Sequence, residues 1–330
     1  MTLTDPKETL RIVLAPLFAG VMVCLPWRVI FYEVNGYDFV DRLIYQDYFL
    51  FQQSVLEYRS FDSYLSYVSN EFFWHYLIGW IVHNVNIPIE YIFGAISFLT
   101  FFVFGRIVLI HAGPKAILLL VNPLVVDLAF SQLRLALAVS FLGIAYLLKD
   151  RKHGILIFFV AVAPFVHAAS VILIAIYVVP LFVRLVVEKY GRGQLFEFFL
   201  LVLLGAFTSV LLGPLRKVVL SYIGDRRAVY VDVSSSIMYL LFWVSLLIPL
   251  GFCYRQILQY SYVRYTVVIL SIIIVNLWLG GYSTRFLATA FPFIVSSIFL
   301  LSKQVRTSVL FAFVGYAMFQ WLYWLRVLGG

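Results

Sequence analysis

The chain is 330 residues long, 63% hydrophobic, only 12% charged, and carries a net charge of +8. A soluble domain holds about 25% charged residues, so this composition excludes one and points to a polytopic membrane protein. The apolar stretches are long and continuous rather than short and alternating, so the expected spans are helices and not the strands of a barrel.

The apolar segments predict helices at about 9–31, 71–85, 87–110, 115–124, 131–148, 154–165, 167–187, 195–213, 235–253, 264–280, 285–302 and 307–326. That makes an all-α chain with about 11–12 transmembrane or re-entrant helices, organised as one integral domain over 1–330, with no internal repeat. The first helix lacks a short apolar core followed by a small-residue cleavage site and reads as a retained span. Residues 32–70 hold six acids against two bases, whereas bases crowd into 149–153 and 184–192. This asymmetry places the basic loops inside and 32–70 outside, and argues against a nucleic-acid footprint. Counting spans forward then leaves one segment between 71 and 148 that fails to cross, with 71–85 and the Asn122-Pro123 break as the two choices. A second outward loop, 214–234, carries Arg216, Lys217, Arg226 and Arg227, against the positive-inside trend. An anionic ligand or anionic lipid headgroups would each account for it.

Candidate site residues follow in chain order. Gly36, Asp38 and Tyr45 sit in "NGYDFVDRLIY", where turn chemistry is the plain alternative. Glu71 in "SNEFFWHYL" has the place of a helix-start carboxylate, with Asn70 as its cap. Gln132 and Arg134 interrupt the apolar run "DLAFSQLRLALAVSFLGIAYLL". An arginine at the centre of an inserted helix costs about 2.5–3.5 kcal/mol, so it marks a site unless it snorkels to the interface. A continuous helix over 127–148 would put Asp127 and Arg134 on one face, about 10 Å apart along the axis. His167 in "VAPFVHAASVILI" is either a satisfied core histidine or a proton acceptor. Tyr282 and Arg285 follow the Gly280-Gly281 break, where glycines allow close backbone approach and a helix start favours anions. The two cysteines, Cys24 and Cys253, read as small buried hydrophobes, and the histidines show no metal-ligand spacing.

The order of "GYDFVDRLIY", "NEFFWHYLIGWI", "QLRLALAVSFLGIAYLL" and "PFVHAASVILI" resembles the bacterial O-antigen and exopolysaccharide polymerases of the Wzy/EpsG type. The resemblance covers roughly residues 30–180, with Arg285 and the following "FPF" a looser later match. Two positions depart from the family pattern: Leu135 follows Arg134 where glutamine is usual, and Val166 separates Phe165 from His167. The resemblance implies an all-helical, glycosyltransferase-C-like fold in the bacterial inner membrane. It implies transfer of a growing glycan from undecaprenyl pyrophosphate to the free end of another lipid-linked repeat unit, at the periplasmic face. No cofactor and no metal would be required, because the lipid diphosphate is already a leaving group once its charge is held. His167, Glu71 or Asp38 would serve the acceptor hydroxyl. Arg134 and Arg285 would hold diphosphate, helped by Gln132, Tyr45, Tyr282 and the Arg216, Arg226 and Arg227 cluster. The implied partners are the lipid-linked donor and acceptor and membrane lipid, with room for a chain-length regulator protein. The competing readings are a transporter or flippase for lipid-linked or anionic solutes, and a membrane transferase using another lipid donor.

Overall fold

The computed structural model describes residues 6–36, 38–51, 64–150, 153–222, 237–279 and 283–327. Helices make up 87% of it, and no strand occurs among the described residues. Six helical stretches are long and apolar enough to cross a membrane: Glu8–Val34, Ile89–His111, Ala169–Lys189, Gln194–Leu212, Ser261–Trp278 and Lys303–Leu325. Their outward faces are apolar, with Leu17, Leu203, Trp278 and Phe311 all exposed, as a lipid-facing surface requires. The protein is an all-α polytopic membrane protein. Three shorter apolar helices, His153–Val166, Leu240–Phe252 and Thr284–Phe299, accompany the six.

The chain divides into two compact units, Met1–Ile174 with Ala317–Gly330, and Ala175–Tyr316. In the first unit α1 (Pro6–Cys24) packs on α5 (Ile89–His111), which in turn packs on α7 (Leu133–Leu148), and α7 on α8 (His153–Val166). Between α1 and α2 (Trp27–Asn35) the chain breaks at Pro26. Proline has no N–H to give the carbonyl four residues back. The indole of Trp27 takes over, donating to Met22 O at 2.7 Å. Helix α2 stops at Gly36, whose φ of 74° is the left-handed conformation that ends helices. Helix α3 (Val40–Phe51) and the short α4 (Tyr64–Ser69) follow.

Residues 71–85, one of the two segments expected not to cross, are not among the six long apolar stretches. They coil as two π-helical turns, Trp74–Ile78 and Ile81–Val85. The second interruption lies elsewhere than Asn122-Pro123 alone. Asn122 caps α6 (Pro123–Phe130) by accepting from the Leu124 N–H at 3.0 Å, and α6 and α7 then meet at 104°. The helix predicted from about 131 begins at Leu133, and the break at Ser131 and Gln132 excludes a continuous run from 127 to 148. Asp127 turns to the Gln132 side-chain amide, which donates to it at 2.6 Å, and Arg134 falls in the first turn of α7. The first unit is completed from far along the chain: Trp321 stacks on Trp27 with ring centroids 5.4 Å apart, and Asn122 donates to Gln320 at 2.9 Å.

In the second unit α10 (Gln194–Leu212) lies against α15 (Ser261–Leu279), which also carries α12 (Ile237–Ser245) and α16 (Ser283–Phe299). Gly205 makes the closest approach. A Cβ there would meet the Val268 carbonyl at 2.6 Å and Ser271 Cβ at 2.5 Å. Such small-residue contacts let membrane helices gain packing where no hydrophobic drive exists. One end of this unit gathers Arg184 near the end of α9 (Ala169–Lys189), Glu197 and Arg264, at 3.6 and 3.7 Å from the carboxylate.

Candidate functional site

Four of the residues singled out in the sequence meet in the first unit. Glu71 follows α4 and opens the π-helical stretch, with φ at +53°. A non-glycine side chain held there costs roughly 1–2 kcal/mol, and such strain gathers where surroundings over-determine a residue. Its carboxylate is buried, and it bridges two partners. One oxygen accepts from Nη1 of Arg134, and the other lies 3.3 Å from Nδ1 of His167. The break between α6 and α7 is what brings the guanidinium here, at the start of a helix rather than inside one. Arg134 donates a second bond, from Nε to the Tyr45 hydroxyl at 3.1 Å, and its guanidinium sits 4.9 Å over the Tyr45 ring. Among the described residues Nη2 has no hydrogen-bond partner, and 23% of the arginine side chain is exposed.

Tyr45 is itself fixed from below by Trp74, edge-on at 5.3 Å. Burial pushes its phenol above the ordinary value, with Arg134 pulling the other way. The hydroxyl therefore keeps its proton while accepting from the arginine.

His167 occupies the break between α8 and α9. Its backbone carbonyl accepts from Ser170 Oγ at 2.7 Å, and its Nδ1 accepts from the Ala169 N–H at 3.2 Å. Nδ1 is thus contested. With its lone pair there, the ring caps α9; with a proton there, it donates to Glu71 and leaves Nε2 as a base. The nearby edge-on contact of Phe73 with Phe165, 5.5 Å between centroids, ties the Glu71 segment to the end of α8.

Other expected residues go elsewhere. Asp38 is held by Arg28, which donates from Nε at 2.6 Å, and its second oxygen accepts from the Phe39 N–H at 2.8 Å. Gln132 is occupied by Asp127. Gly36 serves as the helix stop described above. Arg285, exposed at the start of α16, and Arg216, half-buried at the start of α11 (Arg216–Tyr222), belong to the second unit. Tyr282, Arg226 and Arg227 lie outside the described residues. Among the described residues no group of three or more His, Cys, Asp or Glu side chains is placed to hold a metal ion.

Sequence reasoning missed a second cluster, one turn back on α3. Glu90, in the first turn of α5, accepts from Arg28 Nη1 at 2.9 Å and from Arg42 Nη2 through the same oxygen. Arg42 is buried, its guanidinium 4.9 Å over Phe93. Burial draws it below its ordinary value, with Glu90 opposing. The signal available was weak: Arg42 stood among acids in 32–70 and was legible only as a counter-charge. Comparison of the chain with protein-family models, with curated proteins and with solved structures returns no match.

Proposed function

We propose that this protein is a membrane glycosyltransferase of the glycan-polymerase kind, on a glycosyltransferase-C-like scaffold in the bacterial inner membrane with its site facing the periplasm. It moves a growing glycan from undecaprenyl pyrophosphate to the free end of a second lipid-linked repeat unit. The observation that carries this reading is the meeting of Tyr45, Glu71, Arg134 and His167, drawn from four separate stretches, around one partly exposed guanidinium.

The chemistry asks for two things, and the residues supply both. A diphosphate leaving group needs its charge held. Arginine's planar fork suits phosphate oxygens, and fixed donors in a poorly hydrated site stabilise developing charge strongly. Arg134 offers its Nη2 edge at the first turn of α7, an end that itself favours anions. The acceptor hydroxyl needs a base, and His167 fills that role through Nε2, with Glu71 as its positioning residue at Nδ1. In the step, the bond between the donor sugar's C1 and the diphosphate oxygen breaks, and its electron pair leaves on the diphosphate. The acceptor oxygen bonds to C1, and its proton passes to Nε2. The resulting imidazolium is stabilised by the Glu71 carboxylate. Undecaprenyl pyrophosphate departs, and the proton returns to water.

The test is purified full-length protein in lipid nanodiscs, given lipid-linked oligosaccharides extracted from the cells that make it. Electrophoresis should resolve a ladder of lengthened chains. If instead the lipid-linked units only change leaflet in proteoliposomes, with no new glycosidic bond, the chain is a flippase and the transferase reading is wrong.

A further inference from the structure

The Arg28, Asp38, Arg42 and Glu90 cluster ties α2, α3 and α5 together, yet it is more than such a clamp requires. Its two guanidinium groups and two carboxylates cancel in charge, so it has no net attraction for an anion. Its hydrogen bonding is incomplete in both senses. Nε and Nη1 of Arg42 are shielded from water without a hydrogen-bond partner among the described residues, and so is Oε1 of Glu90. A donor or acceptor buried without a partner forfeits its hydration with nothing in return, so each of these atoms calls for one. A phosphate oxygen would satisfy only the donors and a cation only the acceptor. A hydroxyl satisfies both at once.

The position is equally specific. Arg42 lies three residues before Tyr45 on α3, so the cluster stands about 4.5 Å along the axis from the residue that touches Arg134. Arg42 and Tyr45 thus stand almost one helical turn apart on the same element, which sets the cluster beside the Arg134 group. Toward the surface, the Arg28 side chain is 39% exposed. One turn further along the same face of α2, Tyr32 is 55% exposed. An exposed aromatic beside a polar pair is the usual platform for a sugar ring, which shows an apolar face and a rim of hydroxyls.

We propose that this cluster seats the terminal sugar of the acceptor glycan, a neutral polyol, through hydroxyls bonded to Glu90, Arg42 and Arg28 with the ring against Tyr32. The proposal rests on the transferase reading above. The test holds lipid-linked donor extract fixed and titrates, as acceptor, the same oligosaccharide released from its lipid by mild acid. Glu90→Gln and Tyr32→Ala should each raise the acceptor KM at least tenfold while the donor KM stays within threefold. Tyr32 is an exposed side chain, so its variant carries the test alone if Glu90→Gln does not fold. An acceptor KM within threefold of the native value, as a bound water at the cluster would give, overturns the proposal, as does an equal rise in donor KM. A native protein that extends no chain at all speaks against the transferase itself, a separate result.

Discussion

Arg134 and Glu71, 63 positions apart in the chain, form an ion pair whose acid also faces His167. Both groups are largely withdrawn from the surface, the Arg134 side chain 23% and the Glu71 side chain 4% exposed, so neither charge would be tolerated there alone. A buried carboxylate stripped of its partner costs about 3–5 kcal/mol. Each experiment must therefore separate loss of function from loss of fold.

For Arg134 the informative change is to lysine. Arg134→Lys keeps the positive charge opposite Glu71 but gives up the planar fork. Elongation should fall about 100-fold or more, the usual loss when one donor to a developing oxyanion is removed, with protein yield held. Chain-length ladders from the nanodisc assay, normalised to protein, measure it. A normal ladder would make Arg134 structural.

Glu71→Gln should separate binding from turnover. The amide keeps the shape but no longer stabilises a charged imidazole, nor competes with phosphate for Arg134. Turnover is expected to drop by about 10²-fold, the lower end of what positioned proton transfer contributes, while the donor KM falls or stays level. A rise in donor KM with unchanged turnover would instead assign Glu71 to donor binding.

The His167 assignment predicts a sign with pH. A base must be unprotonated before it can act, so elongation should decline as acidification charges the imidazole. His167→Gln should be slow and should lose that acid limb. Rates from pH 5 to 8, the range in which an ordinary imidazole titrates, decide it; an identical acid limb in the variant would locate the titrating group elsewhere.

Packing in the second unit gives a test free of chemistry. Gly205→Ala drives a Cβ into the Val268 carbonyl and Ser271 Cβ, and overpacking of this kind costs about 1–3 kcal/mol. Gly94→Ala meets nothing within 4 Å and should gain up to about 1 kcal/mol from helix propensity. Thermal unfolding in detergent should move the two in opposite directions.

Much of the candidate site was legible because charges are expensive in oil. Arg134 stood out by cost alone, and Glu71 and His167 by their places beside helix ends. What the sequence could not convey was their meeting. The apolar run over 131–148 already put Arg134 near a helix start, but it carried no sign of which distant residues the guanidinium would reach. The 104° break and the left-handed backbone at Glu71 are set by tertiary contacts, to which local propensity is blind. Asp38 illustrates the same limit. Its Gly-x-Asp setting was visible, but its arginine partner lies on α2, which looked like part of one unbroken first span.

The pairing of Trp27 with Trp321 and of Asn122 with Gln320 also sets an order of assembly. A ribosome emits the residues of the first unit early, yet the strip that closes it arrives with α17 (Lys303–Val327), among the last to be made. Until then the seam beside Trp27 and Asn122 stays unfilled, and the nascent protein must wait in the bilayer half-built. A fragment ending before α17 should therefore be degraded, and a separately expressed final helix should rescue it.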